Sequence, residues 1–151
     1  KQTPNTPSVH ALAALQASTT RIISIGPAAY RNIIQKRAER TRAYINKVGL
    51  DYYFYGKAHT SSVITCVKKD MSFDVKALLS HMRQQGIVLY GGKGELEQVM
   101  FQIGHIGELP KRTMRYVHSS LGAYIAETKS TYEITTRATL LLGTEMSDAT
   151  N

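Results

Sequence analysis

The chain has 151 residues and a mass of 16.8 kDa, enough for one domain with a single core and too little for two large ones. Its 42% apolar and 20% charged residues exclude a disordered polyelectrolyte, and no apolar run approaches the roughly 18 residues that cross a bilayer. The net charge of +8 is concentrated: from Arg21 to Lys47 there are seven basic residues and one acid, Glu39, which reads as the water-facing side of an amphipathic helix rather than a nucleic-acid surface, because the stripe belongs to no recognisable nucleic-acid-binding module.

Cys66 stands alone, so neither an intramolecular disulfide nor a cysteine-built zinc cluster can form, and the count agrees with a reducing, cytoplasmic location. The sequence starts at Lys1 with no initiator methionine and no leader pattern, and the expectation is a piece of a longer protein.

Pro7 and the apolar positions Val9, Leu12, Ala13 and Leu15 predict a short helix over 8–17. Between Gly26-Pro27 and Gly49, near-helical apolar spacing at Tyr30, Ile33, Ile34, Ala38, Ile45 and Val48 predicts the longest helix, over 27–48, with Arg31, Lys36, Arg40 and Lys47 in water. Aromatic and β-branched residues at 51–55 and 61–67 predict two strands. Ser72 is placed to cap a helix over 73–85 with Val75, Leu78, Leu79 and Met82 inward, ended by Gly86. Strands follow at 87–90 and 99–103, on either side of Gly91-Gly92-Lys93-Gly94.

Pro110 then opens a helix over 110–126, with Met114, Val117, Leu121, Tyr124 and Ile125 inward. Beyond Glu127 the period does not separate strand from helix over 131–142, and 146–151 read as a frayed tail. The sum is an α+β domain over 1–127, a small sheet with helices packed mainly on one face, followed by an extension or tail over 128–151.

Candidate sites are few. The glycine loop fails the phosphate-loop spacing, since Gly94 stands where a Ser or Thr is needed, and it reads as a tight turn with Lys93 exposed. His10, His59, His81, His105 and His118 show no metal-ligand spacing, so no metal site is expected. Cys66 alternates within an apolar strand, where it behaves as a small hydrophobe.

Three segments carry a resemblance. Thr3-Pro4-Asn5-Thr6-Pro7-Ser8-Val9-His10-Ala11-Leu12 resembles the segment that opens the C-terminal domain of class V, fold type I, pyridoxal-phosphate aminotransferases. Gly86-Ile87-Val88-Leu89-Tyr90-Gly91-Gly92-Lys93 and Phe101-Gln102-Ile103-Gly104-His105-Ile106-Gly107 resemble the paired-strand signature of the same domain, and Ser61-Ser62-Val63-Ile64-Thr65 falls where the family has an apolar strand. The likeness covers about residues 3–126 and is nearest to the 2-aminoethylphosphonate:pyruvate type, then to the alanine:glyoxylate type.

The resemblance implies that Thr6, with Thr3 beside it, approaches the cofactor phosphate of the neighbouring subunit in a homodimer. It also implies that Gln102 occupies the place of an Arg that forks onto the substrate carboxylate, and an amide brings neither the charge nor the fork. The Schiff-base lysine and the aspartate on the pyridine nitrogen belong to a preceding large domain, so no catalytic residue is expected in this chain, Lys93 included. The implied function is the C-terminal domain of an aminotransferase, forming part of the substrate pocket and of the dimer contacts and inactive alone. Its partners are then the large domain, a second copy, and a small amino-acid, keto-acid or aminophosphonate substrate. The alternative is a non-catalytic domain of the same fold that uses the basic helix 27–48 to hold a partner or an acidic polymer.

Overall fold

The computed structural model of the chain describes residues 8–54 and 60–148. Helices α1 (Val9–Ile25) and α2 (Pro27–Lys47) lead into strand β1 (Ile64–Lys68). Helix α3 (Val75–Gln84), strand β2 (Tyr90–Gly91), a short 3-10 turn at Gly94–Leu96, strand β3 (Met100–Gly104) and helix α4 (Lys111–Asp148) follow. The strands form one antiparallel sheet in the order β1-β3-β2, with Ile64 opposite Gly104, Lys68 opposite Met100 and Tyr90 opposite Gln102.

Side chains alternate across a strand, so Phe101 and Ile103 of β3 share a face with Val67 and Thr65 of β1. All four are buried. Against that face lie Val75, Leu78 and Met82 of α3, Met114, Val117, Leu121 and Ile125 of α4, and Ile45 of α2, in one continuous core. This is the α+β architecture the sequence predicts, with the helical cover on one side of the sheet.

Helix α2 buries Ile34, Ala38, Thr41 and Ile45 and leaves Arg31, Lys36, Arg40 and Lys47 exposed. Ile33 departs from the expectation and is 45% exposed. Arg37 and Arg42, also on this helix, turn to the protein. Arg37 donates to the carbonyls of His105, Gly107 and Leu109, and Arg42 to those of Ser61 and Ile64. Helix α1 runs eight residues past its expected end, buries no side chain, and meets α2 at Gly26, where φ is 90° and ψ is 124°.

Four local expectations are corrected. Residues 51–54 pair with β1 only through an isolated bridge from Tyr52 to Val67, Tyr52 packs on the core while Phe54 is exposed, and residue 55 lies outside the described residues. Strand β1 starts at Ile64 because the Ser61 hydroxyl captures the Val63 amide in a local turn. The 87–90 strand shrinks to Tyr90–Gly91 because the Ile87 amide closes the end of α3 on the Met82 carbonyl, away from the ladder. The α3 cap is Asp74, accepting from the Ala77 amide at 3.0 Å, whereas Ser72 donates to Asp70.

Helix α4 continues without a break across 127 to Asp148 and, with 38 residues against the 21 of α2, replaces 27–48 as the longest helix. Thr128, Thr131, Thr135 and Thr139 each donate the hydroxyl to the carbonyl four residues back, which satisfies a polar group that would otherwise compete with the helix. Among the described residues no helix is long and apolar enough to cross a membrane.

Candidate functional site

The face of the sheet turned away from the core is set by the same alternation. Gln102 lies at the middle of β3, opposite Cys66 on one side and Tyr90 on the other. The three side chains therefore form a row pointing away from Phe101 and Ile103. Cys66 and Gln102 are half-buried and Tyr90 is exposed. The Gln102 amide has no hydrogen-bond partner among the described residues, so its donors and acceptor are available to a ligand.

Gln102 stands on the lip shared by two clefts. One, of about 510 Å³, has an apolar lining that includes Ile64, Val88 and Ile106. The other, of about 370 Å³, brings Lys76 of α3 and Lys93 and Glu97 of the β2–β3 connection to the opposite side of Gln102. Lys76 was not legible as a neighbour of position 102, because it arrives from a helix 26 positions earlier in the chain.

The connection is tight because of Gly92. Its amide donates to the Met100 carbonyl at 3.1 Å, and the Gly94–Leu96 turn folds back so closely that a Cβ on residue 92 would lie 2.3 Å from the Leu96 carbonyl oxygen. Backbone would have to move to admit it. Gly92→Ala should therefore lower the free energy of unfolding by about 1–3 kcal/mol, read from urea titration of the circular dichroism signal; an unchanged midpoint would show that the turn is not closed over this residue.

The three residues of the row, Cys66, Gln102 and Tyr90, include no Lys, Arg, Asp or Glu. Burial pushes the Cys66 thiol above its ordinary pKa against the opposing pull of Arg42, so the sulfur is protonated at neutral pH and does not serve as a nucleophile. His105 follows β3 but faces the core: it is fully buried, with Nε2 2.8 Å from the Thr65 hydroxyl. Burial, reinforced by Arg42, Arg37 and His118, lowers its pKa to about 4. That imidazole is neutral and turned away from Gln102, so the row contains no general base. Among the described residues no group of three or more His, Cys, Asp or Glu could hold a metal. Thr3 and Thr6 lie outside the described residues.

No family model and no curated protein matches the chain. Solved structures do. It is similar to an alanine–glyoxylate aminotransferase from Nostoc sp., with a TM-score of 0.73 and 22% identity over 81% of this chain and 33% of that one. It is also similar to a pyridoxamine-pyruvate aminotransferase from Mesorhizobium loti, with a TM-score of 0.72 and 26% identity over 85% of this chain and 33% of that one. A ureidoglycine-glyoxylate aminotransferase from Bacillus subtilis gives a TM-score of 0.75 and 21% identity over 83% and 33%.

The chain spans about a third of the length of each of these structures. Its fold is that of a C-terminal aminotransferase domain. None of the three is of the 2-aminoethylphosphonate:pyruvate type.

Pyridoxal phosphate requires a cradle for its phosphate, a carboxylate for its ring nitrogen and an amine for its aldehyde. The Gln102 row offers an amide and a phenol, with two ammonium groups and the exposed Glu97 at its edge. These described residues do not fit a whole cofactor site.

Proposed function

We propose that this chain is the C-terminal domain of a class V pyridoxal-phosphate aminotransferase, walling the substrate side of the pocket with the Gln102 row and contributing dimer contacts through α1. The observation that carries this reading is the likeness of the whole fold, at TM-scores of 0.73, 0.72 and 0.75, to aminotransferases of the alanine–glyoxylate, pyridoxamine-pyruvate and ureidoglycine-glyoxylate kinds. The reaction class moves an amino group from an amine to a small keto acid, of the 2-aminoethylphosphonate:pyruvate or alanine:glyoxylate type. The cofactor is held mainly by the large domain, with Thr3 and Thr6 reaching its phosphate.

Within that reading each described group has a task. The Gln102 amide offers neutral hydrogen bonds to the substrate carboxylate. Ile64, Val88 and Ile106 line the neighbouring cleft with apolar surface. Lys76 and Lys93 draw an anion toward the lip by attraction that needs no fixed contact. Val9, Leu12, Leu15 and Ile23 leave an exposed apolar stripe on α1, the kind of surface that a partner covers. On this reading the Schiff-base lysine belongs to the large domain, and transamination requires that domain.

Gln102→Arg, in the protein with its large domain and cofactor present, should tighten keto-acid binding by about tenfold or more, because a charged fork replaces a neutral contact. Equilibrium titration with pyruvate and glyoxylate measures it. An unchanged affinity would remove Gln102 from the substrate side and favour the second reading, a non-catalytic domain of the same fold, which the missing guanidinium at this position already favours.

A further inference from the structure

Helix α2 and the start of α4 enclose a third cleft, of about 590 Å³. Its floor is apolar, made by Ile33, Leu109 and Met114, and its rim is cationic. Lys36 and Arg40 come from α2, Lys111 and Arg115 from α4. Members of each pair are four residues apart, so each pair projects from one side of its helix.

Two further basic side chains reach the cleft and are already engaged. Arg37 is spent on the carbonyls of His105, Gly107 and Leu109. His118 meets the Thr41 hydroxyl at 3.1 Å, stacks on Tyr44 at 4.6 Å, and is kept neutral by burial. Lys36, Arg40, Lys111 and Arg115 are different: among the described residues none has a hydrogen bond or an ion pair.

The acids nearest in sequence are turned elsewhere. Glu39 accepts from Gln35 on another side of α2, and Glu108 pairs with Arg21 at 2.7 Å. Four like charges around one cleft repel each other, and the 45% exposure of Ile33 leaves apolar surface wet at their centre. Nothing inside the described chain offsets either cost. A ligand with carboxylates outside and an apolar group inside would offset both.

We propose that this cleft docks an acidic segment of a partner protein, setting carboxylates against the two cation pairs and an apolar side chain on the floor formed by Ile33 and Met114. The four-residue step places the cations of a pair about 6 Å apart along the axis. That is also the step between two glutamates one turn apart on a helix. A nucleotide or nucleic acid fits less well. The one ring at the cleft, His118, is already stacked on Tyr44, so no aromatic face is free for a base. No Asn, Gln, Ser or Thr lines the cleft to read base or sugar edges. The inference does not depend on the reading of the Gln102 row.

The test is fluorescence anisotropy of a labelled twelve-residue peptide of three Glu-Glu-Leu-Leu repeats, titrated with the 151-residue chain. Saturable binding is expected, weakened at least about tenfold when charge is reversed in the double variant K36E/R115E, and weakened by Ile33→Ser, a change at an exposed position that spares the core. R83E, the same kind of charge change on α3, should leave binding as it was. Because K36E/R115E relieves repulsion, its melting temperature should equal or exceed that of the parent chain. Absence of saturable binding, binding indifferent to both the double variant and Ile33→Ser, or equal binding of an all-glutamate peptide or a single-stranded oligonucleotide would overturn the proposal.

Discussion

Phe101→Ala should be the most damaging single substitution in the sheet, lowering the free energy of unfolding by about 3–5 kcal/mol. Phe101 is fully buried on the central strand, opposite Val67 and Gly91. Its ring lies edge-on to Phe73 at 6.3 Å, and Phe73 lies edge-on to Tyr124 of α4 at 6.5 Å. The chain of rings joins the sheet to its helical cover, and edge-to-face pairs add about 0.5–1.5 kcal/mol beyond area burial. Truncation leaves a cavity at the middle of the sheet, where backbone pairing on both sides prevents collapse. For a domain stable by about 5–15 kcal/mol in total, that loss is a large share. Urea unfolding of the two forms measures it, and a loss below about 1 kcal/mol would mean that the rings do not carry the contact between the layers.

The second large effect is on pH. His105 takes up a proton in the unfolded chain near 6.5 and in the folded domain near about 4, because burial disfavours the imidazolium. Its Nδ1 is buried and has no partner among the described residues to stabilise a second N–H. Between these values the unfolded state binds more protons, so folding stability falls as pH falls. The contribution is fully present above about 6.5 and exhausted near about 4, amounting to about 3 kcal/mol. His118, lowered by burial as well, acts in the same direction. The check is urea unfolding at pH 7 and pH 4.5 for the parent and His105→Gln. The parent should lose most of the predicted amount while the variant loses clearly less; parallel losses would assign the acid sensitivity to other groups.

The helical periods and the strand alternation are local, and where packing obeys them the sequence is readable. Ile34, Ala38 and Ile45 face inward on α2, and Gln102 faces away from Phe101 and Ile103 on β3. What is not readable depends on partners distant in the chain or on competition between neighbours. Ser72 and Asp74 are both able to cap α3, and the choice falls to Asp74 because Asp70 takes the Ser72 hydroxyl. Arg37 and Arg42 look like two more solvated cations until the carbonyls of 105–109 and 61–64 are brought beside them. Ile87 and Leu89 are buried as a strand would bury them, yet the Ile87 amide belongs to the end of α3.

The candidate site divides in the same way. The outward turn of Gln102 follows from alternation alone, whereas the approach of Lys76 to the cleft beside it requires α3 to be set against the sheet. The cationic cleft joins two helices whose facing residues lie more than 70 positions apart, and no window on the sequence contains both.

Gly26 has a mechanical consequence. Helix α1, 17 residues long, extends about 25 Å from a junction made by one residue in a backbone region that other side chains rarely enter. No side chain along α1 is buried, and its tie from Arg21 to Glu108 is an exposed pair about one turn from that junction, a contact of little strength. The arm is therefore a lever with a one-residue bearing. A rotation of about 20° at Gly26 sweeps the Val9 end through about 9 Å, more than the width of a side-chain contact. The two torsion angles of a single glycine thus decide which surface the apolar stripe of α1 can reach.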